Sequence, residues 1–234
     1  MIKNINDFQK FARDKKVSSV SLDKFKKSSV SRFSPIASGT PMVIEERQLN
    51  ISAISVFDRL MMDRIIFLGE EIDDYIANVI NAQLLFLDTD GDNQDEPISL
   101  YINSPGGDCY SGLAIYDTVM AIKAPVHTFT MGLAASMAYI LAISGEKKHR
   151  YALKHSRLMQ HQPWQGGGGG QATDVEIQNT EIQGLKSDMI KIIGKHTGQP
   201  EDKIRFDSER DFWMNAEKAK EYGAIDKILV QTRK

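Results

Sequence analysis

Ser136 carries a hydroxyl inside an almost wholly apolar stretch, MGLAASMAYI, which covers residues 131 to 140. A glycine and two alanines precede it, so the backbone can approach a bound group closely. The spacing predicts that the serine stands at a helix N-terminus, where free N–H groups point outward. Those are the physical requirements of a nucleophile elbow, although GLAAS does not match the GxSxG pattern. On spacing alone, a small residue packed in a helix interface remains the favoured interpretation.

A nucleophilic serine needs a base, and the chain has five histidines. His161 follows the predicted strand SRLMQ, at the point where the chain leaves the sheet, so its imidazole could overhang the same rim as Ser136. A histidine that only caps the strand end is the open alternative. The remaining four are interpreted as structural or solvated: His127, His149, His155 and His196.

Acyl transfer also needs N–H donors for the oxyanion and an acid that orients the base. The segment SPGGD places Gly106 and Gly107 after a predicted strand and before a helix, with no side chains to obstruct their amides; a plain turn is the alternative. The acid cannot be selected by spacing from 31 carboxylates. Asp211 is a weak candidate because it stands between a charged run and an apolar run.

Alternating strand and helix patterns must position these residues from about residue 41 onward. Strands are predicted at 64–69, 98–103, 126–130, 150–153, 156–160 and 224–230. Helices are predicted at 71–87, 109–123, from Gly132 to about Gly145, from Thr173 to about 196, and at 215–223. Thr173 and Glu176 are predicted to form a capping box. This alternation predicts an α/β fold with largely parallel strand pairing.

The first 40 residues differ in composition from the rest of the chain. They contain nine Lys or Arg, three Asp and eight Ser, a net charge of +6 that leaves −8 on residues 41–234. We interpret residues 1–40 as an N-terminal extension outside the core. The three aspartates argue against an organelle transit peptide, and no secretory signal pattern is present.

Composition also excludes several classes of function. The near-neutral net charge gives no indication of nucleic acid or a membrane surface as partner. The single cysteine, Cys109, excludes an internal disulfide framework, fits a reducing compartment and excludes zinc sites built on CxxC pairs.

The acidic loop DTDGDNQDEP lacks the glutamate that a calcium loop needs at its twelfth position. We therefore predict no metal site. The apolar run at 131–145 is too short to span a membrane.

Five motifs occur in a familiar order: YINSPGG (101–107), GLAASMA (132–138), MQHQP (159–163), HTGQP (196–200) and ERDFWM (209–214). Together they resemble the ClpP family, the proteolytic subunits of the Clp protease. The similarity runs from about Pro41 to Val230. It implies an α/β fold of the ClpP/crotonase-like type, a superhelix of ββα units with a protruding strand-helix handle at about 162–197. The peptidase domain is then expected at 41–234, after a propeptide at 1–40.

The resemblance also implies a serine endopeptidase and assigns its residues. Ser136 matches the family's nucleophile, His161 its base and Asp211 its acid. Gly107 and Met137 match the residues whose backbone amides form the oxyanion hole. No cofactor is expected in this subunit, because ATP is used by a partner.

The implied assembly is two stacked heptameric rings around a closed chamber, served by a hexameric AAA+ unfoldase that delivers unfolded protein. Arg210 matches a position that contacts the opposite ring, and Tyr101 a position in the pocket that receives the unfoldase. The implied location is the cytoplasm, without nucleic acid or membrane as partners. Gln160 stands where an apolar residue often precedes the histidine, and Ser99 and Ala121 where many members carry aromatic pocket residues.

Two other functions share part of this pattern. A crotonase-type enzyme has a similar fold and an oxyanion hole for acyl-CoA thioesters, but it does not need Ser136, His161 and Asp211 together. A catalytically silent ring subunit would have lost one of the three residues, and all three are present.

Overall fold

A computed structural model of the protein describes residues 42–47, 50–89, 95–166 and 170–230. Its strands are β1 (Met42–Arg47), β2 (Asn50–Ser55), β3 (Ile65–Leu68), β4 (Ile98–Ser104), β5 (Val126–Ala135), β6 (Arg150–Leu153), β7 (Arg157–Gln160), β8 (Phe212–Asn215) and β9 (Lys227–Leu229). Its helices are α1 (Val56–Met62), α2 (Asp74–Asp88), α3 (Cys109–Ala121), α4 (Met137–Ile143), α5 (Ala172–Thr197), α6 (Glu201–Asp207) and α7 (Ala216–Tyr222).

The chain divides into two compact units, residues 1–56 and 57–234. In the first unit, β1 and β2 form an antiparallel hairpin in which Met42 pairs with Ser55. The predicted extension at 1–40 lies outside the described residues.

The main sheet belongs to the second unit and, among the described residues, contains seven strands. Its path runs β3-β4-β5-β6-β9 with parallel pairing throughout, while β7 pairs with β5 and β8 pairs antiparallel with β7. Parallel neighbours need crossover connections, which the helices supply. The predicted α/β class with largely parallel pairing is confirmed.

The central strand β4 shows why this sequence forms a sheet. Ile98, Leu100 and Ile102 alternate along it and are fully buried, as their period of two predicts. Ser104 ends the strand and is also buried, and its hydroxyl accepts a hydrogen bond from the Gly106 amide at 3.1 Å. The turn that follows is therefore anchored to the end of the core strand.

Strand β5 is longer than the sequence predicts, because it continues through Gly132 to Ala135. The prediction of a helix starting at Gly132 is wrong for residues 132–135. The first half of β5 pairs with β6 and the second half pairs with β7, so the added residues gain a partner strand. Gly132 adopts a φ of +69°, and the next amide, of Leu133, donates to Asn103 Oδ1 at 3.1 Å. The glycine marks an irregularity within the strand and not its end.

Other local features also differ from what the sequence predicts. Helix α5 begins at Ala172 after Gln171, which makes no side-chain cap, so the capping box predicted at Thr173 is absent from this helix start. Strands β1, β2 and β8 and helices α1 and α6 were not predicted. Each is short, from 4 to 7 residues, so neither the helical nor the strand period can establish itself.

Arg150 fixes the start of β6 to the loop before β9. Its guanidinium donates to both oxygens of Asp226 at 2.9 and 2.8 Å and to the His196 carbonyl at 2.8 Å. Burial opposes ionisation of Asp226, but the hydrogen bonds and charge of Arg150 outweigh it and lower the pKa of that carboxyl. Burial also lowers the pKa of the neighbouring His196 to about 4, so this imidazole is neutral near pH 7.

No helix in the described part of the chain combines the length and apolar character needed to cross a membrane.

Candidate active site

Three neighbouring strands carry the predicted catalytic residues to one edge of the sheet. Strand β7 lies between β5 and β8. In its parallel register with β5, Ala135 pairs with Met159, and in its antiparallel register with β8, Gln160 pairs with Phe212. Ser136 directly follows β5, His161 directly follows β7, and Asp211 directly precedes β8. Each residue therefore lies just beyond the paired end of its strand. The sheet brings the three together although 75 residues separate the first from the last.

Ser136 occupies a sharp turn between β5 and α4. Its φ of +55° and ψ of −124° lie outside the ordinary regions for a residue with a side chain, a type of strain that is concentrated at functional sites. Its amide donates to the Met159 carbonyl at 2.9 Å, which holds the turn against β7. A serine at this position usually caps its helix, but here the side chain makes no cap bond. The hydroxyl is left for another partner.

That partner is His161, whose Nε2 lies 2.9 Å from the Ser136 Oγ. The other ring nitrogen, Nδ1, lies 3.1 Å from Asp211 Oδ1. A carboxylate can only accept, so Nδ1 carries the hydrogen and Nε2 accepts from the serine hydroxyl. The His161 side chain is 29% exposed and that of Asp211 is 58% exposed. The imidazole is thus fixed at both ends in the form that can remove a proton from the serine.

Gly107 presents its backbone to the same cleft. The Ile72 amide donates to the Gly106 carbonyl, and the Asp108 amide donates to the Ile72 carbonyl, each at 2.8 Å. These two bonds flank Gly107, so its own N–H points away from Ile72, as in a parallel bridge. A Cβ at Gly107, where φ is +151°, would overlap the Ile72 backbone. Only glycine allows this close approach.

The Met137 amide lies beside that glycine pair. Met137 is the first residue of α4, where an amide has no acceptor within the helix. A Cβ built on Gly106 would lie 2.9 Å from the Met137 nitrogen and 2.7 Å from the Ser136 Cβ, so the two segments are in close contact. All seven residues of α4 are buried, which holds this amide rigidly. The Gly107 and Met137 residues therefore line the same cleft as Ser136.

The serine and histidine line a cleft of about 380 Å³. One wall is apolar and includes Ile140, Pro163, Trp164, Met189 and Ile193.

Cys109 lines the same cleft and carries a thiol, a second possible nucleophile. Burial and the charge of Asp108 raise the pKa of its thiol. The thiol therefore stays protonated near neutral pH and is a poor nucleophile. Ser136, with a base at hydrogen-bond distance, is the better candidate.

Gln160, the residue before His161, is buried in the core. It is 1% exposed, and its Nε2 donates to the Tyr222 hydroxyl at 3.0 Å. That hydroxyl donates to Asp207 Oδ2 at 2.9 Å. Burial raises the pKa of Tyr222, so its phenol stays protonated and keeps donating. This polar chain satisfies the amide NH₂ group of the buried glutamine, whereas its Oε1 is buried without a hydrogen-bond partner.

Comparison with known proteins gives the site its context. The sequence matches the family model described as Clp protease over residues 47–232. The chain belongs to the Clp protease family. The resemblance inferred from the five motifs is therefore confirmed, together with the fold and the class of enzyme, a protease.

Curated relatives in this family carry the name ATP-dependent Clp protease proteolytic subunit. One, from Bacteroides fragilis, is 55% identical over 191 residues, which cover 82% of this chain and 91% of the relative. Another, from Porphyromonas gingivalis, is 50% identical over 231 residues, which cover 98% of this chain and 100% of the relative. A third, from Bacteroides thetaiotaomicron, is 53% identical over 191 residues, or 82% of this chain and 86% of the relative.

Two other residues singled out by the family resemblance lie outside the cleft. Arg210 is exposed and directly precedes Asp211. Tyr101 lies in β4, and its ring stacks between Phe67 and Phe129, with ring centroids 5.2 and 4.6 Å away. Phe129 in turn stacks on Tyr151 at 4.8 Å. These four rings cross β3, β4, β5 and β6, and we call them the aromatic row.

Proposed function

We propose that the protein is a serine endopeptidase of the Clp type in which Ser136, His161 and Asp211 form the catalytic triad. The observation that carries the proposal is the placement of one imidazole, with Nε2 2.9 Å from the serine Oγ and Nδ1 3.1 Å from a carboxylate. This is the arrangement of nucleophile, base and orienting acid that acyl transfer requires. A structural histidine at a strand end would not need both contacts.

Each residue then has a defined role. The Ser136 oxygen attacks the peptide carbonyl carbon while His161 Nε2 accepts its proton. Asp211 holds the imidazole in the correct tautomer and stabilises the imidazolium cation. His161 returns the proton to the amine as the peptide C–N bond breaks, which leaves an acyl-enzyme. Water, activated by the same imidazole, hydrolyses the ester and regenerates the serine.

The Gly107 and Met137 amides act on the carbonyl oxygen. Negative charge develops there when the tetrahedral intermediate forms, and two preorganised N–H donors stabilise it without reorganisation. The apolar wall of the cleft would receive side chains of an extended substrate, which fits unfolded polypeptide better than a folded protein. The proposal concerns peptide bonds in general.

The proposal can be tested with a fluorophosphonate probe, which reacts with activated serines. We expect the purified protein to take up one probe per active chain, at Ser136 by peptide mapping, and to cleave a fluorogenic short peptide. His161→Ala should label far more slowly, because the hydroxyl loses its base. His155→Ala, which removes an exposed histidine, is the matched control and should label normally.

Native mass measurement should accompany the labelling, since the proposed active form is an assembly. Protein that is assembled but takes up no probe and cleaves no peptide, with or without an added AAA+ unfoldase, would contradict the proposal. Labelling at a serine other than Ser136 would contradict the assignment of the nucleophile.

Gly106→Ala should lower kcat by about 100-fold, the effect of losing one oxyanion donor. Gly106 has a φ of +94°, and an added Cβ would lie 2.5 Å from the Ala135 carbonyl oxygen. The loop must move away from the Ser136 turn, which separates the Gly107 and Met137 amides. Steady-state kinetics on a short peptide, with thermal unfolding to monitor stability, would measure the effect.

The matched control is Gly69→Ala, because an added Cβ at Gly69 meets nothing within 4 Å. It should leave kcat close to that of the unmodified protein. Equal kcat in the two variants would contradict the role assigned to the close packing at Gly106.

The proposed partners follow from the names of the relatives and from the surface. ATP dependence in those names fits an AAA+ unfoldase that hydrolyses ATP and delivers unfolded protein, so this subunit itself needs no cofactor. The aromatic row around Tyr101 supports a docking surface for such an unfoldase. Exposed Arg210, next to Asp211, supports a contact between two stacked heptameric rings that would couple assembly to the triad. We do not propose nucleic acid or membranes as partners.

The proposed organisation is a propeptide at residues 1–40, removed by self-cleavage, and a peptidase domain at 41–234 with a handle at about 162–197. The charge difference between the two parts supports this division. A single free cysteine, without a disulfide framework, supports a cytoplasmic location, where thiols stay reduced.

A further inference from the structure

Two histidines outside the cleft are brought together by strand pairing. His127 lies on β5 and His149 directly precedes β6, and the β5–β6 register that pairs Thr128 with Arg150 places the two imidazoles side by side. The rings stack with centroids 4.1 Å apart and an angle of 8° between their planes. The sequence gives no sign of this pair, because the two residues lie in separate segments.

A carboxylate completes the group. Glu146, in the loop before β6, places its Oε2 3.5 Å from the His127 Nε2. One ligand atom from each of His127, Glu146 and His149 lies within 4.8 Å of the other two. In a tetrahedral zinc site, metal-ligand distances of about 2.0–2.1 Å put neighbouring ligand atoms about 3.3 Å apart. The 3.5 Å separation between the Glu146 and His127 ligand atoms is close to that value.

The most exposed member of the group can adjust its position. The Glu146 side chain is 52% exposed, so its rotatable bonds are free to adjust its distances from the two imidazoles. The His127 side chain is 18% exposed. A cation could therefore reach the site from solvent while two of its ligands stay fixed on the sheet.

His149 also has the outer contact that metal-bound histidines usually make. Its Nδ1 lies 3.2 Å from the Tyr151 hydroxyl. If Nδ1–H donates to that oxygen, the lone pair is left on Nε2, the atom free to bind a metal. Such contacts fix both the tautomer and the direction of the ring. A solvated surface histidine would have no need of one.

We propose that His127, Glu146 and His149 form a binding site for a borderline divalent cation of the Zn²⁺ type, with water completing the coordination. Two imidazoles and a carboxylate are ligands that suit Zn²⁺, whereas Mg²⁺ and Ca²⁺ prefer all-oxygen sites. The ion joins β5, β6 and the loop between α4 and β6. It lies next to Phe129 and Tyr151 of the aromatic row, so its presence would stiffen that end of the row.

Calorimetry tests the site by measuring Zn²⁺ binding. The sample is tag-free full-length protein from which a chelator has removed metal. We expect one saturable Zn²⁺ per chain, and Co²⁺ should give the visible absorption of a tetrahedral complex at the same stoichiometry. Tyr151→Phe keeps the ring but removes the outer contact, so it should weaken Zn²⁺ binding by about 10- to 100-fold. His127→Ala and His149→Ala should weaken it further, since each removes a ligand.

Two controls separate this site from others on the chain. His155→Ala removes an exposed histidine from the turn after β6 and should leave Zn²⁺ binding unchanged. His161→Ala removes the histidine of the proposed triad and should also leave it unchanged. Circular dichroism of each variant would show that the fold is retained. These are binding measurements, so their outcome is independent of the proposed peptidase activity.

Absence of saturable Zn²⁺ binding by the unmodified protein would overturn the proposal. Binding that survives in His149→Ala, or that is lost in His161→Ala, would also overturn it, because the ion would then occupy a different site.

Discussion

Ser136→Ala should lower kcat for short-peptide cleavage by about 10⁶-fold, the size of loss that follows removal of the nucleophile from a serine protease triad. Fluorophosphonate labelling should disappear. The reason is that the hydroxyl is the atom that forms the acyl-enzyme, and no other side chain in the described cleft has an equivalent base. Any residual cleavage would come from the two amides and from substrate binding alone.

The fold should tolerate this change. Alanine keeps the Cβ of serine, so the cost of the positive φ at this turn stays about the same, and the hydroxyl makes no cap bond that would be lost. Thermal unfolding of the variant should match that of the unmodified protein. Cys109→Ala, in the same cleft, is the control and should keep the probe labelling. If labelling were lost in Cys109→Ala and retained in Ser136→Ala, the thiol would be the nucleophile.

Asp211→Asn should lower kcat by about 10⁴-fold with a smaller change in KM. Asparagine can turn its NH₂ toward His161 Nδ1, which moves the ring hydrogen to Nε2. The imidazole then cannot accept the serine proton. The negative charge that stabilises the imidazolium is lost at the same time. KM should change less because Asp211 does not line the cleft.

Kinetics on a short peptide, together with the rate of probe labelling, would measure this effect. Glu209→Gln neutralises a carboxylate in the same loop and is the matched control; the Glu209 backbone carbonyl, and not its side chain, is the group that binds Gln162. A kcat for Asp211→Asn within tenfold of the unmodified protein would show that another group orients His161.

Asp211 and the neighbouring Glu209 illustrate why local spacing could not select the acid. Asp211 and Glu209 stand two residues apart in the same charged run, and both are exposed. Only the antiparallel pairing of β8 with β7, with Phe212 opposite Gln160, places Asp211 facing His161. A four-residue strand after an unpredicted helix has too weak a local pattern for that pairing to be inferred.

The helix predicted from Gly132 shows the same limit at closer range. Periodicity cannot distinguish a buried helix from a buried strand in a short run of small apolar residues such as Ala134 and Ala135. Strand β7 stabilises the strand conformation here, because it offers a hydrogen-bonding edge to residues 133–135. As a result Ser136 stands at the junction of strand and helix and not within a helical turn, and its hydroxyl is directed toward the base.

The sequence by itself determined the α/β class, the strand end at which His161 stands, and, through its motifs, membership of the Clp protease family. Those properties depend on local periodicity and on short segments that can be read along the chain. Only the tertiary structure decided that Asp211 faces His161, and that His127, Glu146 and His149 lie together. These contacts depend on which strands become neighbours and in which register. Burial of the whole core fixes that register, because a shift by one residue would expose the apolar face.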